Sequence, residues 1–224
     1  MFDVFFNDFN AVPDIVVAGA GIYEASTAGF WNDADRGSGY KLLDINLTHP
    51  IKTTRIAIRH LRQAGKPGMI LHISSITAQK PSAVLPLYSV SKAAISQFVR
   101  CMAPLESLCG IRVVAVAPGV VDTPLFRDSP GALAHIDMEK DFVLPRSEIV
   151  RAMVALIRDA TYPSGTILEV GDIGLWRPVE ILNDSGPQGR STLPRQKAKK
   201  AIQLVEAHLK EDAEGRGRPG PAKL

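Results

Sequence analysis

The chain is poor in sulfur and in aromatic rings: two cysteines, two tryptophans and 6% aromatic residues among 224. Cys101 and Cys109 lie eight apart in one apparent helix, which suits neither a disulfide framework nor a zinc site. A reducing, cytoplasmic setting is expected. The five histidines, His49, His60, His72, His135 and His208, lack ligand spacing, so no metal is expected. No apolar run reaches ~18 residues, and no membrane span is expected. The opening MFDVFFNDFN has no basic segment and does not read as a signal peptide. No internal repeat is visible.

What is present is an ordinary globular composition, 46% hydrophobic and 22% charged with a mean hydropathy of +0.05. One domain is expected over 1–190, followed by a basic tail over 191–224. Residues 190–224 carry nine Lys/Arg against four Asp/Glu, whereas the rest carries 17 against 19. The body is therefore near neutral, which disfavours a nucleic-acid-binding body. The tail has no aromatic residue for stacking on bases. Its helical stripe Ile202, Val205, Leu209 and the run GRGRPGPAKL predict a weak helix and a solvated, disordered end.

The pattern predicts strands at Asp14–Ala20, Met69–Ile73, Ile111–Val116 and Thr166–Val170. The first reads as a buried strand. Helices are expected over Tyr40–Gln63, with Leu43, Leu47, Ile51, Ile58 and Leu61 inward, and over Tyr88–Leu108, with Ala93, Phe98, Met102 and Leu105 inward. A third covers Ser147–Asp159. Pro104 should loosen the end of the second helix, and Gly65 and Pro67 close the first. Strands alternating with crossover helices imply an α/β fold with a parallel sheet covered on both faces. Residues 22–40, 123–145 and 171–190 read as loops.

Tyr88 and Lys92, four apart at a helix start, project from one face. An ammonium at ~4 Å favours a phenolate and brings a phenol of pKa ~10 toward neutrality. The same spacing also suits an ordinary exposed pair. Ser75 sits just past a strand, at the sheet end where ligands gather in parallel sheets. Asn46 lies on the preceding helix, where a locally bonded side chain is the plain alternative. Pro118-Gly119, usually only a turn, follows the third strand at the same sheet end, and Thr123 follows.

With these residues in place, the chain resembles the short-chain dehydrogenase/reductases. The resemblance covers about residues 10–175 and rests on DIVVAGAGI, LDINL, HISSITAQKPSAVLPLYSVSKAAI and RVVAVAPGVVDTP, in that order. PGVVDTPLF and TILEVGDIG look closest to the 15-hydroxyprostaglandin dehydrogenase branch. The resemblance implies the C-terminal part of a doubly wound Rossmann fold in three αβα layers. It implies an NAD(P)-dependent oxidoreductase interconverting a secondary alcohol and a ketone by hydride transfer. Tyr88 would exchange the proton and Ser75 would hold the substrate oxygen. Lys92 would lower the Tyr88 pKa and bind the nicotinamide ribose. Asn46 would fix a water of the relay. Pro118, Gly119, Val121 and Thr123 would line the nicotinamide, and Ala20 and Gly21 would pass close to the cofactor, NAD or NADP. A homodimer or homotetramer paired through the two long helices is implied.

Gly19-Ala20-Gly21, with Asp44 downstream, imitates a dinucleotide fingerprint. A third glycine would fall at Glu24, and no helix follows directly. The segment matches the family's Asn-Asn-Ala-Gly motif better, with Ala18 and Gly19 replacing both asparagines. In the family, further strands and the phosphate-binding turn precede this one, whereas thirteen residues precede Asp14 here. The expectation is a domain truncated at its N-terminus, inactive or impaired, with an open sheet edge. An incomplete gene product, a true short form and a sheet completed by a partner all fit. The alternative function is a non-catalytic remnant that binds a protein through that edge. The substrate is expected to be a small apolar alcohol or ketone, on the strength of Leu125, Phe126, Phe142 and Leu144. Trp31 and Trp176 are candidate pocket walls, with ordinary packing the plainer reading.

Overall fold

The computed structural model describes residues 2–24, 30–32, 39–133, 136–180 and 198–215. Five strands form one sheet in the order β1 (Ile15–Ala18), β2 (Gly68–Ile73), β3 (Ile111–Pro118), β4 (Ile167–Asp172), β5 (Leu175–Pro178). The first four are parallel, in a register that aligns Val17 with Leu71 and Leu71 with Val114. β5 returns antiparallel to β4 through a turn in which Gly174 has a φ of +70°, a conformation that favours glycine. This hairpin falls in a segment expected to be loop, since four strand residues are too few to show a period.

Helix α1 spans Phe2–Phe9 and α2 spans Lys41–Leu43. A π-helical turn over Asp44–Thr48 then leads without a break into α3, His49–Gln63. Next come α4 (Pro86–Cys101), α5 (Leu105–Cys109), the short α6 (Pro124–Arg127) and α7 (Pro130–Leu133), α8 (Arg146–Arg158) and α9 (Ala198–Ala213). The helix expected over Tyr88–Leu108 begins at Pro86 and ends at Cys101. Pro104 heads a separate turn, α5, because its ring cannot continue the ladder.

The layers are those of a three-layer αβα sandwich. One apolar cluster packs Ala57, Ile58 and Leu61 of α3 and Val99 of α4 against Ile70, Val113 and Ala115. The other packs Ile149, Ala152 and Leu156 of α8 against Leu71, Val114 and Leu168. The alternation of side chains along β2 and β3 supplies both faces.

Two expected helical stripes are corrected, and β1 is the open edge that was expected rather than a fully buried strand. Through the π-turn and its flanks the buried residues are Leu42, Asn46 and Pro50, while Leu43, Leu47 and Ile51 are half-buried. The wider turn changes which residues face inward, and a uniform 3.6 spacing misses that. On α4 the inner face carries Tyr88, Ser91, Lys92, Ile95 and Ser96, and Ala93 is exposed. The polar groups of that face are satisfied locally, Ser91 donating to Tyr88 O at 2.7 Å and Ser96 Oγ lying 2.7 Å from Ser74 Oγ. β1 is half bare: Val16 and Ala18 are buried, but Ile15 and Val17 are 42% and 45% exposed. It is the sheet's edge strand, and α8 packs beyond it over β3 and β4.

The tail helix is docked rather than solvated. Leu209 is buried in the α3-side core. Arg55 of α3 donates two hydrogen bonds to the buried Asp212 carboxylate, at 2.5 and 2.8 Å. The end expected to be disordered lies outside the described residues beyond Gly215.

Candidate active site

Parallel strands end together, so the loops after β1, β2 and β3 meet at one edge of the sheet. Ser75 caps the 3-10 turn Ile76–Ala78 directly after β2, accepting from Thr77 N at 3.2 Å. Tyr88 occupies the first full turn of α4 and lines the same cavity as Ser75. Lys92 follows one turn later. Its ammonium donates to Ile73 O at 2.9 Å and stands 5.3 Å from the Tyr88 ring centroid. Ser74, absent from the sequence reading, secures this arrangement. It donates to Lys92 O at 3.1 Å and lies 2.7 Å from Ser96 Oγ, fixing α4 to the end of β2.

The Lys92–Tyr88 electrostatics differ from expectation. Burial pushes the Tyr88 phenol well above its ordinary value, outweighing the lowering influence of Ser75. Burial also brings Lys92 down to about 8. The lysine was expected to lower the phenol. In this closed arrangement desolvation prevails and the hydroxyl is held as an acid.

Ser75, Tyr88, Pro118, Gly119, Val121 and Thr123 line one cavity of about 340 Å³. Its backbone is fixed by Gly119 N donating to Val170 O at 3.0 Å. A mainly apolar wall adds Leu125, Phe126, Ile149 and Val150. Leu144 is buried beneath Gly119, and Phe142 is 59% exposed and outside the cavity. Trp176 is no wall of it. Its Nε1 donates to the buried Glu148 at 2.8 Å, securing β5 to α8. Exposed Trp31 donates to Ala83 O at 2.6 Å.

Asn46 and Gly21 stand behind this wall. In the π-turn, Asn46 faces the chain leaving β1. It accepts from Ile22 N and donates to Ile22 O, both at 2.8 Å. The side chain expected to fix a water is engaged with Ile22. A Cβ on Gly21 would lie 3.5 Å from Asn46 Oδ1 and 3.9 Å from Lys92 Nζ, so the glycine keeps the space over both open. Ala20 is an exposed neighbour of Gly21. Two neighbours escaped the sequence reading. Tyr23 sets its ring 5.1 Å from that of Tyr88 and 5.5 Å from that of Phe126. Glu24 is buried beside them. Only their place after a strand end could have signalled either.

Such a site can hold a carbonyl or hydroxyl oxygen between two hydroxyl groups and give it a proton. The short chain dehydrogenase family model matches residues 7–132, and the chain belongs to this family. It is 32% identical over 161 residues to cis-4-hydroxycyclohexanecarboxylate dehydrogenase of Sinomonas cyclohexanicum, covering 70% of this chain and 64% of that protein. It is 33% identical over 180 residues to 3beta-hydroxysteroid dehydrogenase 1 of Eggerthella lenta, covering 76% and 66%. The chain thus spans about two thirds of the length of these curated relatives. Among solved structures, 3-ketoacyl-(acyl-carrier-protein) reductase of Brucella melitensis, complexed with NADH, superposes with a TM-score of 0.63. Its identity is 24%, over 75% of this chain and 69% of that one. The likeness establishes the Rossmann-type fold.

Proposed function

We propose that the protein is an NAD(P)-dependent oxidoreductase that interconverts a secondary alcohol and a ketone. The observation that carries this reading is the convergence of the Ser75 and Tyr88 hydroxyls on one apolar-walled cavity, with Lys92 behind them. Ser75 holds the substrate oxygen, and Tyr88, protonated by its burial, delivers the proton to it. Lys92 supplies the positive field beside the phenol and two ammonium protons beyond the one given to Ile73. Asn46 holds Ile22 and with it Gly21.

The residues fit the nicotinamide-ribose half of such a cofactor. Gly21 leaves room above Lys92 and Asn46 for a ribose. Pro118, Gly119, Val121 and Thr123 would hold the nicotinamide. The bound group supplies the hydride. Relatives named for a hydroxycyclohexane acid and a 3β-hydroxysteroid support a hydroxyl on a saturated ring as the substrate class. Two free thiols, Cys101 and Cys109, support a reducing cytoplasmic setting. Among the described residues, no helix is long and apolar enough to cross a membrane. α3 and α4 share one sheet face, which supports pairing of two copies through these helices.

The test is nicotinamide absorbance on mixing the full chain with NAD or NADP and cis-4-hydroxycyclohexanecarboxylate or a 3β-hydroxysteroid. Turnover abolished by Tyr88→Phe supports the reading, and turnover indifferent to it overturns the assignment. A second reading rests on β1, whose exposed Ile15 and Val17 make an edge able to accept a partner strand. Capping of that edge by a protein partner without any turnover would favour it.

A further inference from the structure

α4, which carries Tyr88 and Lys92, begins without a cap of its own. Its N-cap is Leu85, which has no capping side chain, and Pro86 at the first helical position has no N–H. The unsatisfied donors of the first turn are therefore those of Leu87 and Tyr88. Glu24, from the loop after β1, reaches across and accepts from Tyr88 N through Oε2 at 3.0 Å. Its other oxygen accepts from Phe30 N at 3.2 Å. The carboxylate is 4% exposed and sits at the positive end of a sixteen-residue helix. A buried carboxylate is costly unless its bonds and field repay it. Here it ties the loop to the residue that holds the reacting hydroxyl. Adjacent Tyr23 lays its ring on that of Tyr88, so the same loop contacts both the backbone and the ring of one residue.

We propose that Glu24 is a positioning residue: it caps α4 from outside and thereby sets the height and tilt of Tyr88 at the cavity. The carboxylate form is needed, because only it accepts from both N–H groups at once. A glutamine offers one acceptor oxygen and turns its NH2 toward the second donor. This inference rests on the catalytic reading of Tyr88, and its first test is independent of turnover.

That test is amide hydrogen exchange on the full chain. Glu24→Ala should speed exchange of the Tyr88 amide by about tenfold or more, as a lost charge-assisted bond implies. Amides of β2 and β3 should keep their protection. Glu24→Gln should fall between. Unchanged exchange at Tyr88, or equal acceleration throughout the sheet, would overturn the proposal. The second arm is steady-state kinetics with NAD and cis-4-hydroxycyclohexanecarboxylate. Glu24→Ala should lower kcat by about tenfold while leaving the KM for NAD within about twofold, with partial rescue in Glu24→Gln. A fall confined to KM would overturn it. Absence of turnover in the unmodified chain would count against the proposed function alone, since the exchange arm stands without it.

Discussion

Lys92 places its ammonium 5.3 Å from the centroid of the Tyr88 ring, with both groups buried. Burial moves each toward its neutral form, Tyr88 upward and Lys92 down to about 8. A pair expected to yield a phenolate thus holds a neutral phenol beside a weakened ammonium, the state suited to giving a proton to a carbonyl.

Tyr88→Phe removes one oxygen and keeps the ring that packs on Tyr23. Turnover should fall ~10²–10⁴-fold, the usual contribution of a general acid. The thermal midpoint should change little, and steady-state rates with a melting curve check both.

Lys92 keeps its charge below about pH 8 and loses it above. NADH affinity should therefore weaken between pH 7 and 9, as calorimetry would report, and Lys92→Met should remove that dependence. Stability runs the other way. The unfolded lysine stays protonated up to its ordinary pKa of 10.5, so the unfolded chain binds more protons between about 8 and 10.5 and stability rises with pH there.

His72 is fully buried on β2, with Nε2 2.9 Å from Thr54 Oγ1 and Nδ1 without a partner among the described residues. Burial lowers its pKa from 6.5 to about 4. Its contribution is present above pH 6.5 and is lost as pH falls toward 4, where the unfolded chain takes a proton the native one refuses. The loss is on the order of 3 kcal/mol. Urea midpoints over this range should fall steadily, with a shallower fall in His72→Gln.

Asn46→Ala deletes two hydrogen bonds and leaves the backbone of Ile22 without them. The cost should be about 2 kcal/mol, measured by urea denaturation. Activity should suffer beyond this, because Gly21 loses its fixed place above Lys92.

Asp212→Ala removes the buried carboxylate that fastens α9 to Arg55. Arg55 is 57% exposed, so the global loss should stay under about 1 kcal/mol. α9 should nevertheless exchange its amides faster than α3, as mass-spectrometric exchange would show.

The sheet was legible because β2, β3 and β4 are short apolar runs between helical segments, and each appears within two residues of its expected bounds. Ser75, Tyr88, Pro118, Gly119, Val121 and Thr123 were legible because their family motifs occur in order, and they meet at one cavity. What stayed hidden depends on contacts between distant segments. Glu24 looks like a plain loop glutamate until the unsatisfied donors of α4 arrive beside it. Leu209 looks like part of a weak stripe until α3 offers a surface. β5 has no period to read, and the inner face of α4 is polar where a hydrophobic stripe was sought. The phenol–ammonium pair was read with a partly solvated dielectric, and burial changed the outcome.

The π-turn at Asp44–Thr48 has a consequence for sequence change. An α-helix advances about 100° per residue, so each insertion or deletion rotates everything on one side of it against the other. The wider turn accommodates such an offset between Asn46, which must face Ile22, and Thr54, Ala57 and Leu61, which must face the sheet. Removing one residue there would heal the helix into regular α geometry and swing Asn46 off its partner while α3 stayed packed. The segment thus behaves as a phase shifter. It should tolerate exchange of its exposed side chains, yet be intolerant of any change in its length.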